Sequence, residues 1–249
     1  MREQLKLTGM VLSAVPIGEY DKRVVVLTKE RGKITAFARG ARKPNGSLLA
    51  AANPFCFGEF FFYEGRNAYT MVQADVKNYF RELAGDFEGA YYGFYFMEFA
   101  DYYARENNDD AELLKLLYLS LRALQNPHLD KELVRTVFEL RAMVINGEYP
   151  QTFQCVECGK EKDLCTFVLK RDGLVCRACA SHYQEGMPLR ESTIYALQYV
   201  ISSPLQKLYT FTVTPEVLRE LQAVTGRFRN KYIEKPFRSF EILQSILNY

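Results

Sequence analysis

Five of the six cysteines sit in the stretch Cys155-Val-Glu-Cys158 to Cys176-Arg-Ala-Cys179, with Cys165 between the two ends. Four of them form two C-x2-C pairs separated by 17 residues. Each pair can turn two thiolates toward one ion, and two matched pairs predict a tetrahedral site closed by four protein ligands. Gly159 follows the first pair and is free to take a positive φ there, whereas Ala180 stands at the matching place after the second. Segments rich in Phe, Val and Leu flank Lys170-Arg-Asp-Gly173, a plausible hairpin turn, which gives a zinc-ribbon layout. The expected cofactor is one structural Zn2+ per chain on Cys155, Cys158, Cys176 and Cys179. Lys160, Lys162, Lys170, Arg171 and Arg177 would offset the charge of about −2 that four thiolates leave on the ion. A redox dithiol and an iron–sulfur cluster are the rival readings. Cys165 is read as a spare, buried thiol and His182 as a surface histidine.

The same search for reactive types finds no catalytic set. The chain has two histidines, His128 and His182, too few for most histidine-based sites. It has neither a Walker A sequence nor G-x-G-x-x-G. Asp109-Asp110 precede an apolar helical pattern and are read as charges at its N-terminus. The expectation is a protein that is not an enzyme. A metal-dependent nuclease built from scattered carboxylates is kept as an alternative.

The elements that must carry these residues divide the chain. Leu5–Ala14, Arg23–Thr28, Lys33–Arg39, Pro54–Tyr63 and Ala68–Ala74 read as strands separated by turns such as Glu64-Gly-Arg-Asn67. Ser47–Asn53 reads as a short helix between the third and fourth strands. That order predicts a five-stranded OB barrel. Helical spacing follows over Glu82–Arg105, Asp110–Gln125 and Lys131–Asn146, and again over Leu189–Ile201, Pro215–Thr225 and Arg238–Asn248. Aromatic residues cover nearly all sides of the first helix, which places it at the centre of a core. The predicted class is α+β: an OB barrel (1–80), a helical domain in two parts (81–150 and 188–249), and an inserted zinc module (151–187).

The chain carries 32 Lys/Arg against 30 Asp/Glu, unevenly distributed. Residues 1–80 hold 12 basic and 7 acidic residues, and residues 81–150 hold 7 and 13. A basic first module suits a polyanion. The start, Met1 to Lys6, has no apolar h-region, and no stretch is long and apolar enough for a membrane span, so a cytoplasmic location is expected. Alternation in the third strand puts Lys33, Thr35, Phe37 and Arg39 on one face and Ile34, Ala36 and Ala38 on the other. The strand runs into Gly40-Ala-Arg42-Lys43-Pro-Asn-Gly46. Cations that track phosphates beside a ring that stacks bases are the chemistry of single-strand binding.

The run from Glu19 to Pro44, above all Arg39-Gly-Ala-Arg42-Lys43-Pro44 after a Gly-Lys strand, resembles the N-terminal signature of the bacterial DNA repair family RecO. The likeness continues through Asn53-Pro-Phe, Phe62-Tyr-Glu-Gly65, the helices, the four-cysteine insert and Arg238-Ser-Phe-Glu-Ile-Leu243. It implies a recombination mediator that binds single- and double-stranded DNA and anneals complementary strands. It also implies work with RecR and single-strand-binding protein to load RecA, in a nucleoid-associated setting with no small-molecule substrate. Carried over by position, Arg39, Arg42 and Lys43 are the basic residues of the matched motif. Lys33 and Phe37 come from strand alternation alone. A zinc-bearing interaction adaptor, whose barrel binds protein and not DNA, is the other alternative.

Overall fold

Alternating apolar residues close the N-terminal strands into a barrel. The computed structural model describes residues 4–66 and 68–247. Met1, Asn67 of the expected turn, and Asn248, the expected end of the last helix, lie outside the described residues. The strands are β1 (Gln4–Ile17), β2 (Asp21–Thr28), β3 (Gly32–Ala38), β4 (Phe57–Glu64) and β5 (Tyr69–Asn78), closed in the order β1-β2-β3-β5-β4. All neighbours are antiparallel except β3 and β5. Inside lie Val11, Val24, Val26, Ile34, Ala36, Ala38, Phe60, Phe62 and Met71. The long β1 pairs with both β2 and β4 and carries a bulge between Val11 and Ser13, the irregularity a strand needs to bend between two partners.

The helix expected at Ser47–Asn53 does not form; the segment is a series of turns with one helical hydrogen bond, Ala52 N to Leu48 O at 3.0 Å. Its carbonyls have other donors. Lys22 Nζ donates to Ala52 O (3.2 Å) and Asn53 Oδ1 (2.6 Å), while Asn53 Nδ2 donates to Leu49 O and Ala50 O. Leu48 and Ala52 join the barrel core. The sixth cysteine, Cys56, is buried beside them, and burial pushes its thiol pKa up.

The chain divides into two compact units, residues 1–125 with 237–249, and residues 126–236. In the first, the expected helix Glu82–Arg105 is broken at Asp86, whose extended backbone (φ −84°, ψ 111°) separates α1 (Arg81–Gly85) from α2 (Phe87–Tyr103). Tyr92, Tyr95, Phe96 and Phe99 of α2 are buried, as its all-round aromatic pattern implies. Gly93 is required here, because a Cβ would meet the Phe55 ring at 2.5 Å. The leucine stripe of α3 (Ala111–Leu124) is buried. Asp110 stands at the N-terminus of α3, as expected, but its side chain makes no capping hydrogen bond to that helix. It is buried and accepts from Arg105 N (3.1 Å) and Asn108 Nδ2 (3.0 Å), ordering the loop before that helix. Gly32 packs against that loop at φ 62°, where a Cβ would lie 2.1 Å from Arg105 O.

The second unit holds α4 (Lys131–Ile145), β6 (Leu164–Val168), β7 (Gly173–Cys176), α5 (Arg177–Ala180), β8 (Met187–Pro188), α6 (Glu191–Ser202) and α7 (Pro215–Tyr232). Asp130 caps α4 by accepting from Glu132 N and Leu133 N. Helix α7 runs past Thr225, the expected end, because Val224 and Phe228 continue its buried face across Gly226. Glu139, 1% exposed, is held by Arg135 (2.8 Å) and Arg229 (3.1 Å), which answers the high cost of a lone buried carboxylate. The last helix, α8 (Arg238–Leu247), returns to the first unit, where Glu98 accepts from Ser239 N at 3.0 Å and Phe237 and Phe240 stack on Tyr95. No helix among the described residues is long and apolar enough to cross a membrane.

Candidate metal centre and candidate nucleic-acid interface

Two hairpin-like turns bring the cysteines together. In the first, Cys155 N donates to Lys160 O (2.7 Å) and Gly159 N to Cys155 O (2.9 Å), with Gly159 at φ 74°. In the second, Cys176 ends β7 and Cys179 sits in the single turn of α5, and Arg177 N donates to Asp163 O (2.9 Å). The four sulfurs lie within 4.8 Å of one another, and Cys158 Sγ is 3.7 Å from Cys176 Sγ. Thiolates at about 2.3 Å from one tetrahedral ion would be about 3.8 Å apart, so the donor set fits a single cation.

Two of the thiols are shifted in opposite directions. For Cys155, burial raises the thiol pKa, but the backbone N–H groups of Cys176, Cys158 and Glu157 outweigh it and bring it to about 6. Burial and the neighbouring sulfurs push Cys179 up to about 12. A cation among the four sulfurs would favour their thiolate forms. Around them Val168 and Val175 are buried, with Val156, Leu164, Ala180 and Tyr183 packed alongside. Cys165 is half-buried on β6 and outside the quartet, as is the exposed His182.

On the barrel, burial along β3 follows the expected alternation. Ile34, Ala36 and Ala38 face in, and Thr35 and Phe37 face out, with Arg39 exposed just beyond. Strand register places Val15, Arg23, Phe37 and Thr70 side by side in one row across β1, β2, β3 and β5. Val15 is 48% exposed, Phe37 39%, and nearby on the same hairpins Ile17 is 39% and Tyr20 42% exposed. Arg23 and Arg39 are exposed, and their side chains make no ion pair or hydrogen bond among the described residues. Arg42 N donates to Tyr20 O (2.8 Å) and its guanidinium to Gly18 O (3.0 Å), so the loop after β3 is fastened to the β1–β2 turn. Lys43 Nζ lies 5.5 Å from the Tyr20 ring centroid, within cation–π range. Asp21, an acidic neighbour, uses Oδ1 to accept from Gly40 N at 2.8 Å.

Of the five residues singled out on the barrel, Phe37, Arg39, Arg42 and Lys43 are exposed on or beside β3. Lys33 is engaged elsewhere: Nζ donates to Asp101 O (2.6 Å) and pairs with Asp101 Oδ1 (3.1 Å), tying β3 to α2. Arg23 and Tyr20 were not singled out from sequence. The β2–β3 hairpin was a usable signal, since a turn that sets Thr28 opposite Gly32 sets Arg23 opposite Phe37. Lys22, next in the chain, is no free cation: burial lowers its pKa and its ammonium holds the 47–53 turn.

The chain matches the family models described as recombination protein O N terminal, over residues 1–80, and recombination protein O C terminal, over residues 84–241. It is similar to the DNA repair protein RecO of Acetivibrio thermocellus, at 29% identity over 97% of both chains. It is similar to that of Alkaliphilus metalliredigens at 28% identity over 97% of this chain and 99% of the relative. That of Bacillus pumilus is 29% identical over 92% of this chain and 89% of the relative. With both family models matched across nearly its whole length, the chain belongs to the RecO family of DNA repair and recombination proteins.

Proposed function

We propose that this chain is a non-enzymatic recombination mediator, in which the barrel of residues 1–80 is an OB-fold that binds single- and double-stranded DNA. The carrying observation is the outer row Val15–Arg23–Phe37, with Tyr20, Arg39, Arg42 and Lys43 around it. It combines exposed rings with guanidinium and ammonium groups on a rigid sheet, the pairing that stacks bases and follows phosphates. A closed five-stranded barrel with β3 beside β5 supports the OB reading, whose β2–β3 face is a binding face in such folds. Annealing follows from the same surface. Two strands repel until their phosphates are screened, and a cationic face with open rings lowers that barrier while leaving base edges free to pair.

Family membership supports the rest: cooperation with RecR and with single-strand-binding protein so that RecA loads on covered strands, in the cytoplasm at the nucleoid. The inserted module of residues 151–187 is read as holding Zn2+ on Cys155, Cys158, Cys176 and Cys179. Zinc is favoured over a redox pair because two matched pairs converge on one point. When bound, the ion supplies fold stability and no open coordination position for chemistry.

The test is annealing of labelled complementary strands, bare and covered by single-strand-binding protein, with and without Mg2+. Faster annealing with full recovery of labelled DNA is expected under both conditions. Loss of label that requires Mg2+ would favour a nuclease. A chain that binds RecR but neither form of DNA would favour the adaptor reading.

A further inference from the structure

The 126–236 unit has a cavity of about 640 Å3 beside the first cysteine turn, within the range of small-ligand sites. Tyr149 and Phe153 line it and are 49% and 44% exposed, an unusual openness for two large rings so close in the chain. Val144 and Ile201 add aliphatic surface, and Gln151, Gln154 and Glu161 add polar groups. The Gln151 amide is oriented in advance, because its Oε1 accepts from Phe153 N at 3.0 Å and its NH2 remains to donate. Gln154 and Glu161 make no side-chain hydrogen bond or ion pair among the described residues. Lys160 and Lys162, both exposed, flank Glu161 in the chain. Lys160 O accepts from Cys155 N, so metal binding and the wall of the cavity are held by the same turn.

We propose that this cavity seats an unstacked nucleobase of a single strand, giving the protein a nucleic-acid contact on the 126–236 unit in addition to the barrel. This rests on the DNA-binding reading above. Rings that stack, amides that donate and a carboxylate that accepts are the groups that read an exposed base edge. A purely aliphatic anchor from a partner protein would leave Gln151, Gln154 and Glu161 desolvated without partners. Glu161 accepts, so it favours bases with an exocyclic amine, as on cytosine, over thymine, which has none. Lys160 and Lys162 are the cations available to the flanking phosphates.

The experiment is photo-crosslinking of the full-length, zinc-loaded chain to single strands carrying iododeoxycytidine, mapped by peptide mass, together with affinity titrations. Crosslinks at Tyr149 or Phe153 are expected, besides those at the barrel. Tyr149→Leu with Phe153→Leu is expected to abolish them and to weaken oligo-dC binding about tenfold, the loss of a stacked base. Both rings are exposed, so melting temperature and zinc content should not change. If that variant misfolds, the crosslink map of the parent chain decides. Glu161→Ala is expected to remove a preference of roughly fivefold for oligo-dC over oligo-dT. Crosslinks confined to the barrel, with unchanged affinity in the double variant, would overturn this inference and leave the barrel reading intact. A parent chain that binds no single strand would overturn both.

Discussion

The barrel and the four-cysteine module are both small β structures that present basic residues, but they are held together differently. The barrel encloses a continuous cluster from Leu7 to Met71, including Phe60, Phe62, Ile34 and Val24, all fully or nearly fully buried. The module's cluster around the sulfurs is Val168 and Val175 plus three of its own cysteines, with Phe167 and Leu174 of the same strands also buried. Hydrophobic burial can hold the first without help, whereas the second has little apolar surface at its sulfurs and would gain most from a bound ion. Both carry paired and unpaired cations. On the module, Lys170 pairs with Glu185 and Arg171 with Glu157, while the Lys160, Lys162 and Arg177 side chains have no acidic partner among the described residues. On the barrel, Lys6 and Lys77 pair with Glu59 and Lys33 with Asp101, while Arg23, Arg39 and Lys43 have no acidic partner among the described residues and stand beside the exposed rings of Phe37 and Tyr20.

The largest effect should come from the metal. Cys176→Ser removes one of four ligands and is expected to lower zinc content by elemental analysis and to unfold residues 151–187. Limited proteolysis should cut there and leave the barrel intact. A barrel that is lost together with the module would break the comparison. Cys165→Ser is expected to keep its zinc. Phe37→Ala comes next. A base stacked on that ring contributes roughly 1–3 kcal/mol, so affinity for single strands should fall by that amount in a titration, with the salt dependence unchanged. Lys33→Ala should have the smallest effect. Its partly exposed pair with Asp101 is worth about 0–1 kcal/mol, read as a small drop in thermal stability, with no change in the salt slope of DNA binding. A shallower slope in that variant would place Lys33 on the phosphate path.

How much of this could be read from the sequence depended on the length over which each signal acts. The convergence of the four cysteines was legible because C-x2-C is a local pattern whose geometry needs no knowledge of the rest of the fold. The faces of β3 were legible for the same reason, since alternation is a property of the strand itself. The barrel's five strands followed from composition and turns. The tie between Lys33 and Asp101 was not legible, because it joins residues 68 apart in the chain. The failed helix at Ser47–Asn53 has the same origin. Its propensity was adequate, but Lys22, on a distant strand, takes the carbonyls of Ala52 and the Asn53 side chain. The break at Asp86 hid within a run whose aromatic periodicity continues on either side. The paired acids Asp109-Asp110 do stand at the start of α3, as read, but no local pattern announced that the Asp110 side chain is buried and organises its own loop.

The central claim is that the exposed cations beside β3, Arg39, Arg42 and Lys43, hold the nucleic-acid backbone. Its most direct measurement is the slope of log K against log[salt] for an unstructured single strand, in the parent and in Arg39→Ala with Arg42→Ala and Lys43→Ala. Each lost phosphate contact should make the slope shallower by about 0.7, so the triple variant is expected to be shallower by about 2 and weaker on every sequence alike. A triple variant with the parent's slope and affinity at low salt would contradict the account and place the DNA elsewhere on the molecule.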